Sequence, residues 1–144
     1  MREYWRNPEA SAAALAGGWF HTGDIGHQDE DGYFFIDERK NDLIISGGEN
    51  IYPAELEAIL AAEARIAEAA VVARPHPRWG EVPVAYVVKR QGAAIAPADI
   101  LALFDGRLAR FKHPREVIIT DALPKNDLGK VLRYKLRETA SSSS

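Results

Sequence analysis

Two apolar runs dictate the middle of this chain: Ala69-Ala70-Val71-Val72-Ala73 and Val82-Pro83-Val84-Ala85-Tyr86-Val87-Val88. Short continuous runs of this kind read as buried strands, and buried strands need helices to cover them. Pro83 has to lie near a strand start, where its missing N–H does least harm. The flanking segments supply the cover. Tyr52-Pro53 opens a helix, with proline in the first turn, Glu55 and Glu57 at its positive end, and Leu56, Ile59 and Leu60 on one face. A second helix begins near Pro97, with Ile100, Leu103, Phe104 and Leu108 at helical spacing. Leu43-Ile44-Ile45, ended by Gly47-Gly48, and Val117-Ile118-Ile119 read as further strands, and a short helix follows Arg133. The order strand, helix, strand, strand, helix, strand predicts an α+β domain with a short central sheet covered by helices.

The segment before it has a different texture. Up to about Gly18 it is polar and Ala-rich, with Asn7-Pro8-Glu9 as a helix start but no strong apolar face. Asp29-Glu30-Asp31-Gly32 is a turn signal and Tyr33-Phe34-Phe35-Ile36 a strand, so a hairpin is expected. The charged break Glu38-Arg39-Lys40-Asn41-Asp42 reads as a domain boundary. The expected division is therefore 1–40, 41–137 and a flexible serine tail at 138–144.

At 144 residues the chain holds one full-sized domain. It has no cysteine, which excludes a disulfide scaffold, a thiol nucleophile and thiolate metal sites. His21, His27, His76 and His113 show no metal-ligand spacing, so no metal site is expected. No apolar run is long enough for a membrane span, the start does not read as a signal peptide, and the cytoplasm is the default. The net charge of -3 hides an asymmetry, because residues 107–137 carry nine Lys/Arg against three acids, a net +6. A basic end on an acidic body points to a polyanion partner or to a solvated basic surface. Phe111 and Tyr134 are too few and scattered for a nucleic-acid stacking platform.

Four short strings could carry chemistry. In Pro124-Lys125-Asn126-Asp127-Leu128-Gly129-Lys130-Val131-Leu132-Arg133, Gly129 lets the backbone turn just before Lys130. The Lys130 ammonium could then be delivered to oxygens that gain charge in acyl or phosphoryl transfer. The alternative is an ordinary exposed loop lysine. Asp24, after Gly23, could accept both hydroxyls of a ribose, or bond its own backbone as turn aspartates do. Arg39 could fork onto phosphate or ribose oxygens, or pair with Glu38 or Asp42. Gly47 and Gly48 could let a thin ligand chain pass close to the backbone, or form a plain turn.

Together the strings resemble the adenylate-forming enzymes, in the family's order and over nearly the whole chain to about Arg137. The style is closest to fatty acyl and benzoate-type acyl-CoA synthetases. The resemblance implies a small mobile C-terminal lid domain, preceded by the helix and hairpin that end a large N-terminal domain. It implies that a carboxylic acid, ATP with Mg²⁺, and CoA become acyl-CoA, AMP and pyrophosphate. Lys130 would match the adenylation lysine, Asp24 and Arg39 nucleotide-binding residues, and Asn41 the hinge, where the family usually has Asp or Lys. Gly47 and Gly48 would face the CoA tunnel, and Trp79 and Phe111 would pack near the CoA nucleotide. His113 stands where those relatives have arginine, which implies a weaker or pH-dependent CoA-phosphate contact. The phosphate loop and acyl pocket would lie in the large domain. The chain is therefore expected to be inactive alone, with that domain as its partner, in the same gene or in trans. The competing expectation is a stand-alone CoA- or nucleotide-binding module that docks on a partner without catalysis.

Overall fold

Asn7 starts the first helix: its side-chain oxygen accepts from Ala10 N at 3.0 Å, and Pro8 takes the first turn of α1, Pro8–Ala14. The computed structural model describes residues 2–142. Contacts divide the chain into two units, Met1–Asn41 and Asp42–Ser144.

In the first unit a 3₁₀ turn at Ala16–Gly18 leads to β1 (Asp24–Gln28) and β2 (Phe34–Arg39), which pair antiparallel. The Asp29 carboxylate closes the turn between them, accepting from Asp31 N at 3.0 Å and Tyr33 N at 2.9 Å. The expected hairpin is present, but its second strand runs on through Arg39. The charged break is therefore partly strand, because the ladder pairs Ile25 with Glu38 and Asp24 with Arg39. Backbone pairing overrides the charge pattern there.

The second unit runs β3 (Ile44–Ser46), β4 (Glu49–Ile51), α2 (Pro53–Ala61), β5 (Ile66–His76), β6 (Gly80–Lys89), α3 (Pro97–Ala102), β7 (Glu116–Ile119) and α4 (Arg133–Ser142). Its sheet has the order β4-β3-β6-β5, with β7 also on β6. The centre is β6. It pairs antiparallel with β5 along its length, parallel with β7 from Val84 to Val87, and with β3 at Gly80. Pro83 falls between the β3 and β7 contacts, and its carbonyl accepts from Arg115 N at 2.8 Å, so its ring nitrogen owes no ladder bond.

Successive side chains of a strand point to opposite faces, and here both faces are covered. Val71, Ala85 and Val87 pack with Leu56 and Leu60 of α2, Ile100 of α3, and Phe104. Ala70, Val72, Val84 and Tyr86 pack with Leu123 and with Leu136 and Ala140 of α4. This is why the two central runs show no polar alternation. The α+β class stands, with helices on both sides of the sheet.

Three expectations need correction. The sequence gives no hint of β4: Gly47 and Gly48, at φ 61° and 90°, make a two-residue hairpin turn that returns Glu49–Ile51 along β3. The helix at Pro97 ends at Ala102 instead of running through Leu108, although Phe104 stays buried and Leu103 and Leu108 pack beside it. Most of the expected serine tail is helix, since α4 continues through Ser142; Ser143 and Ser144 lie outside the described residues.

Candidate functional site

The first unit brings Asp24 and Arg39 together. They are cross-strand partners, and Arg39 Nε lies 2.8 Å from Asp24 Oδ1. Arg39 Nη1 also donates to Thr22 O at 3.2 Å, and Asp24 N donates to Thr22 Oγ1 at 3.1 Å. Arg39 therefore fixes the orientation of the Asp24 carboxylate. This cross-strand pair was not among the partners expected for Arg39 from the sequence. Asn41 sits in the turn that follows, at the last position of the first unit.

The second unit gathers Gly47, Trp79 and Phe111 in one cleft of about 200 Å³, together with Ser46, Glu49 and Arg115. The approach of backbone to indole is close. Gly47 N donates to Trp79 O at 2.8 Å, and a Cβ at Gly47 would lie 2.9 Å from the Trp79 ring. Arg78 also stacks on this indole, its guanidinium carbon 4.6 Å from the Trp79 ring centre. Gly48 turns the hairpin but does not line the cleft. His113 lies in a neighbouring depression of about 630 Å³, with Arg110, Phe111, Arg115 and Asp105. Its Nε2 is 3.0 Å from Leu108 O, and its ring packs 5.8 Å from Phe104. The His113 ring is thus tied to backbone and core. Arg115, which the sequence did not single out, lines both hollows.

Lys130 is exposed at the end of a tied turn. Asn126 Oδ1 accepts from Leu128 N at 3.1 Å and from Lys130 N at 2.8 Å, while Asn126 N donates to Lys130 O at 2.9 Å. Gly129, at φ 80°, completes the turn, and Lys125 bridges Val131. The loop is a small closed structure stapled by Asn126. An asparagine whose side chain bonds the backbone two residues on is a readable turn signal.

The basic segment is less basic in space than in sequence. Lys112 pairs with Glu55 at 2.7 Å, Lys125 with Glu68 at 2.7 Å, Arg133 with Glu57 at 2.6 Å and Arg137 with Asp42 at 2.8 Å. All four acids lie outside residues 107–137. Among the described residues, Arg107, Arg110, Arg115, Lys130 and Lys135 show no such pair, and two of these line the depression at His113. Of these five, Arg110 and Arg115 lie at the hollows and Lys130 on the lysine turn.

Comparisons with known proteins place the chain in a family. Residues 55–130 match the family model of the AMP-binding enzyme C-terminal domain. The chain belongs to that family. It is 52% identical over 138 residues to the indoleacetate–CoA ligase of Aromatoleum aromaticum, covering 96% of this chain and 27% of the ligase. It is 44% identical over 143 residues to the long-chain-fatty-acid–CoA ligase FadD13 of Mycobacterium tuberculosis, covering 99% and 28%. ATP-bound MatB from Rhodopseudomonas palustris superposes with a TM-score of 0.88 at 44% identity, over 96% of this chain and 28% of that one. The chain thus spans little more than a quarter of the length of these relatives. No helix among the described residues is long and apolar enough to cross a membrane.

Proposed function

We propose that this chain is the C-terminal lid of an ATP-dependent acyl-CoA synthetase that joins a carboxylic acid to CoA through an acyl-adenylate. The observation that carries the reading is the cleft in which Gly47, Trp79, Phe111 and Arg115 meet, within a domain of the AMP-binding family. A glycine floor, an aromatic wall and a guanidinium suit a thin acyl-carrier arm ending in a phosphorylated nucleotide. The adjoining depression adds Arg110 and His113 for further phosphate oxygens.

In this reading Lys130 stabilises the negative charge that builds on the carboxylate and α-phosphate oxygens during adenylation. Asp24 accepts the ribose hydroxyls while Arg39 holds its carboxylate still. Asn41 is the hinge between the first 40 residues, the end of the large N-terminal domain, and the lid. Mg²⁺ enters as the companion of the ATP phosphates. Among the described residues no group of three or more His, Asp or Glu gathers to hold a metal. The partner is the large domain, the substrate a fatty or aromatic carboxylic acid, and the location cytoplasmic.

The test uses the chain alone and grafted. Mixed with carboxylic acids, ATP, Mg²⁺ and CoA, the isolated chain should release no AMP above background. Replacing the matching segment of the indoleacetate–CoA ligase relative with this chain should give an active chimera. In that chimera Lys130→Ala should lower adenylation about 10²-fold or more and largely spare thioester formation from supplied acyl-adenylate. Equal loss of both half-reactions would refute the role of Lys130.

A second reading, a CoA- or nucleotide-binding module that docks in trans, draws on the same cleft, which is complete within the second unit. Calorimetry of the isolated chain with CoA and with AMP separates the two: binding without catalysis in the chimera favours the module.

A further inference from the structure

We propose that Arg133 is a positioning residue for Lys130, acting through the carboxylates of Glu57 and Asp42. The proposal deepens the reading of Lys130 as the adenylation lysine and rests on it for its catalytic consequence.

The geometry is that of a clamp. Arg133 Nη1 and Nη2 donate to the two oxygens of Glu57 at 2.6 and 2.9 Å, the planar fork that arginine alone provides. Nη1 also donates to Val71 O at 2.9 Å, and Glu57 Oε1 accepts from Val71 N at 2.7 Å. Nε faces Asp42 Oδ2 at 3.7 Å, while Asp42 Oδ1 takes Arg137 Nη1 at 2.8 Å. One guanidinium thus joins α4 to α2, to the outer edge of β5, and to the first residue of the second unit.

The position of this clamp gives it leverage. Arg133 opens α4, and the Lys130 turn is the segment that feeds into that helix. Between them the chain is short and already ordered: Leu132 N donates to Pro124 O at 2.8 Å, and Val131 bridges Lys125. A shift of Arg133 is therefore passed on to the turn. The side chains of Arg133 and Glu57 are only 24% and 21% exposed, so solvent screens the pair less than an open surface pair. By contrast, Lys125–Glu68 at the other end of the turn is more open, with 37% and 41% exposure, and such pairs contribute little. The mount of Lys130 has one firm end, and it is Arg133.

Asp42 extends the consequence. It directly follows Asn41, and its two oxygens hold both arginines of α4. The residue leaving the expected hinge and the helix behind the expected catalytic lysine are thus fastened to the same carboxylate. A change of backbone at the hinge would be felt at the lysine turn through two charged contacts rather than through the core.

Arg133→Lys keeps the charge and removes the fork. Hydrogen exchange on the 144-residue chain should then show faster exchange across residues 126–132, with β6 amides unchanged. In the ligase chimera the same variant should lower adenylation about tenfold or more, with thioester formation from supplied acyl-adenylate within about twofold of the parent. Glu57→Gln, which keeps an acceptor for Val71 N, should show the same pattern more weakly. Unchanged exchange in the turn overturns the proposal, as does an equal loss in both half-reactions. Full adenylation by Lys130→Ala would instead remove the reading of Lys130, while hydrogen exchange would still decide whether Arg133 holds the turn.

Discussion

The two units differ in whether they bury a core. In Asp42–Ser144, Phe104, Leu56 and Ile44 are fully buried and both faces of the sheet are covered. In the first unit, Trp5 is 84% exposed, Trp19 79% and Phe34 81%, and among its described residues the one buried side chain is the polar Ser11. The second unit has built its own core. The first has regular structure, held by capping and turn hydrogen bonds, without one. A hairpin lacking a packed face is marginal in water, and large exposed apolar patches mark interaction surfaces. The comparison therefore separates a unit with a core of its own from one without.

The sharpest way to break this contrast is to cut the chain at the boundary. Residues 42–142 should unfold cooperatively in denaturant, while residues 1–41 alone should show no cooperative transition by circular dichroism. The opposite result would undo the division. Next in size is Phe104→Ala, expected to destabilise the second unit by about 3–5 kcal/mol. Phe34→Ala, on an open hairpin, should change thermal stability by about 0.5 kcal/mol or less. Equal effects would mean that burial does not separate the units.

Gly47→Ala sharpens the role of the cleft. It forces an L-residue to φ 61° and sets a methyl 2.9 Å from the Trp79 ring. A cost of about 1–3 kcal/mol is expected, read by denaturant melts, together with a changed Trp79 fluorescence. The smallest effect concerns Glu63, whose carboxyl the Arg65 guanidinium and backbone amide hold down at about 2, from an ordinary 4.5. A depressed folded pKa gives stability that is present above the unfolded value and lost as pH falls through the folded one. The contribution should therefore fade between about pH 4.5 and pH 2. Arg65→Ala should flatten the stability profile of the second unit in that window, and an unchanged profile would show that this pair does nothing.

What the sequence revealed followed from patterns that act over short distances. The buried runs, the proline helix starts and the Asp29 turn each rest on neighbouring residues, and each appears in the fold. Glu49-Asn50-Ile51 gave no strand signal, because that strand is imposed by the Gly47-Gly48 turn and by pairing with β3. The charge excess of residues 107–137 misled for a related reason. The neutralising acids reach Lys112 and Lys125 from 57 residues away, Arg133 from 76 and Arg137 from 95. No local count can see them. Among the candidate residues, Gly47, Trp79 and Phe111 converge and Asp24 meets Arg39. Gly48 and His113 lie beside the cleft, and Arg115, Asn126 and Arg133 went unnoticed.

The contact of Val71 with Glu57 and Arg133 has one more consequence. β5 is the outermost strand of its sheet, and an outermost strand ordinarily offers donors and acceptors to any extended peptide that drifts past. At Val71 both groups are already occupied by side chains, N–H by Glu57 and C=O by Arg133. The ion pair stands in for the strand that is not there. At that one position the eleven-residue strand has no backbone group left to offer a further strand.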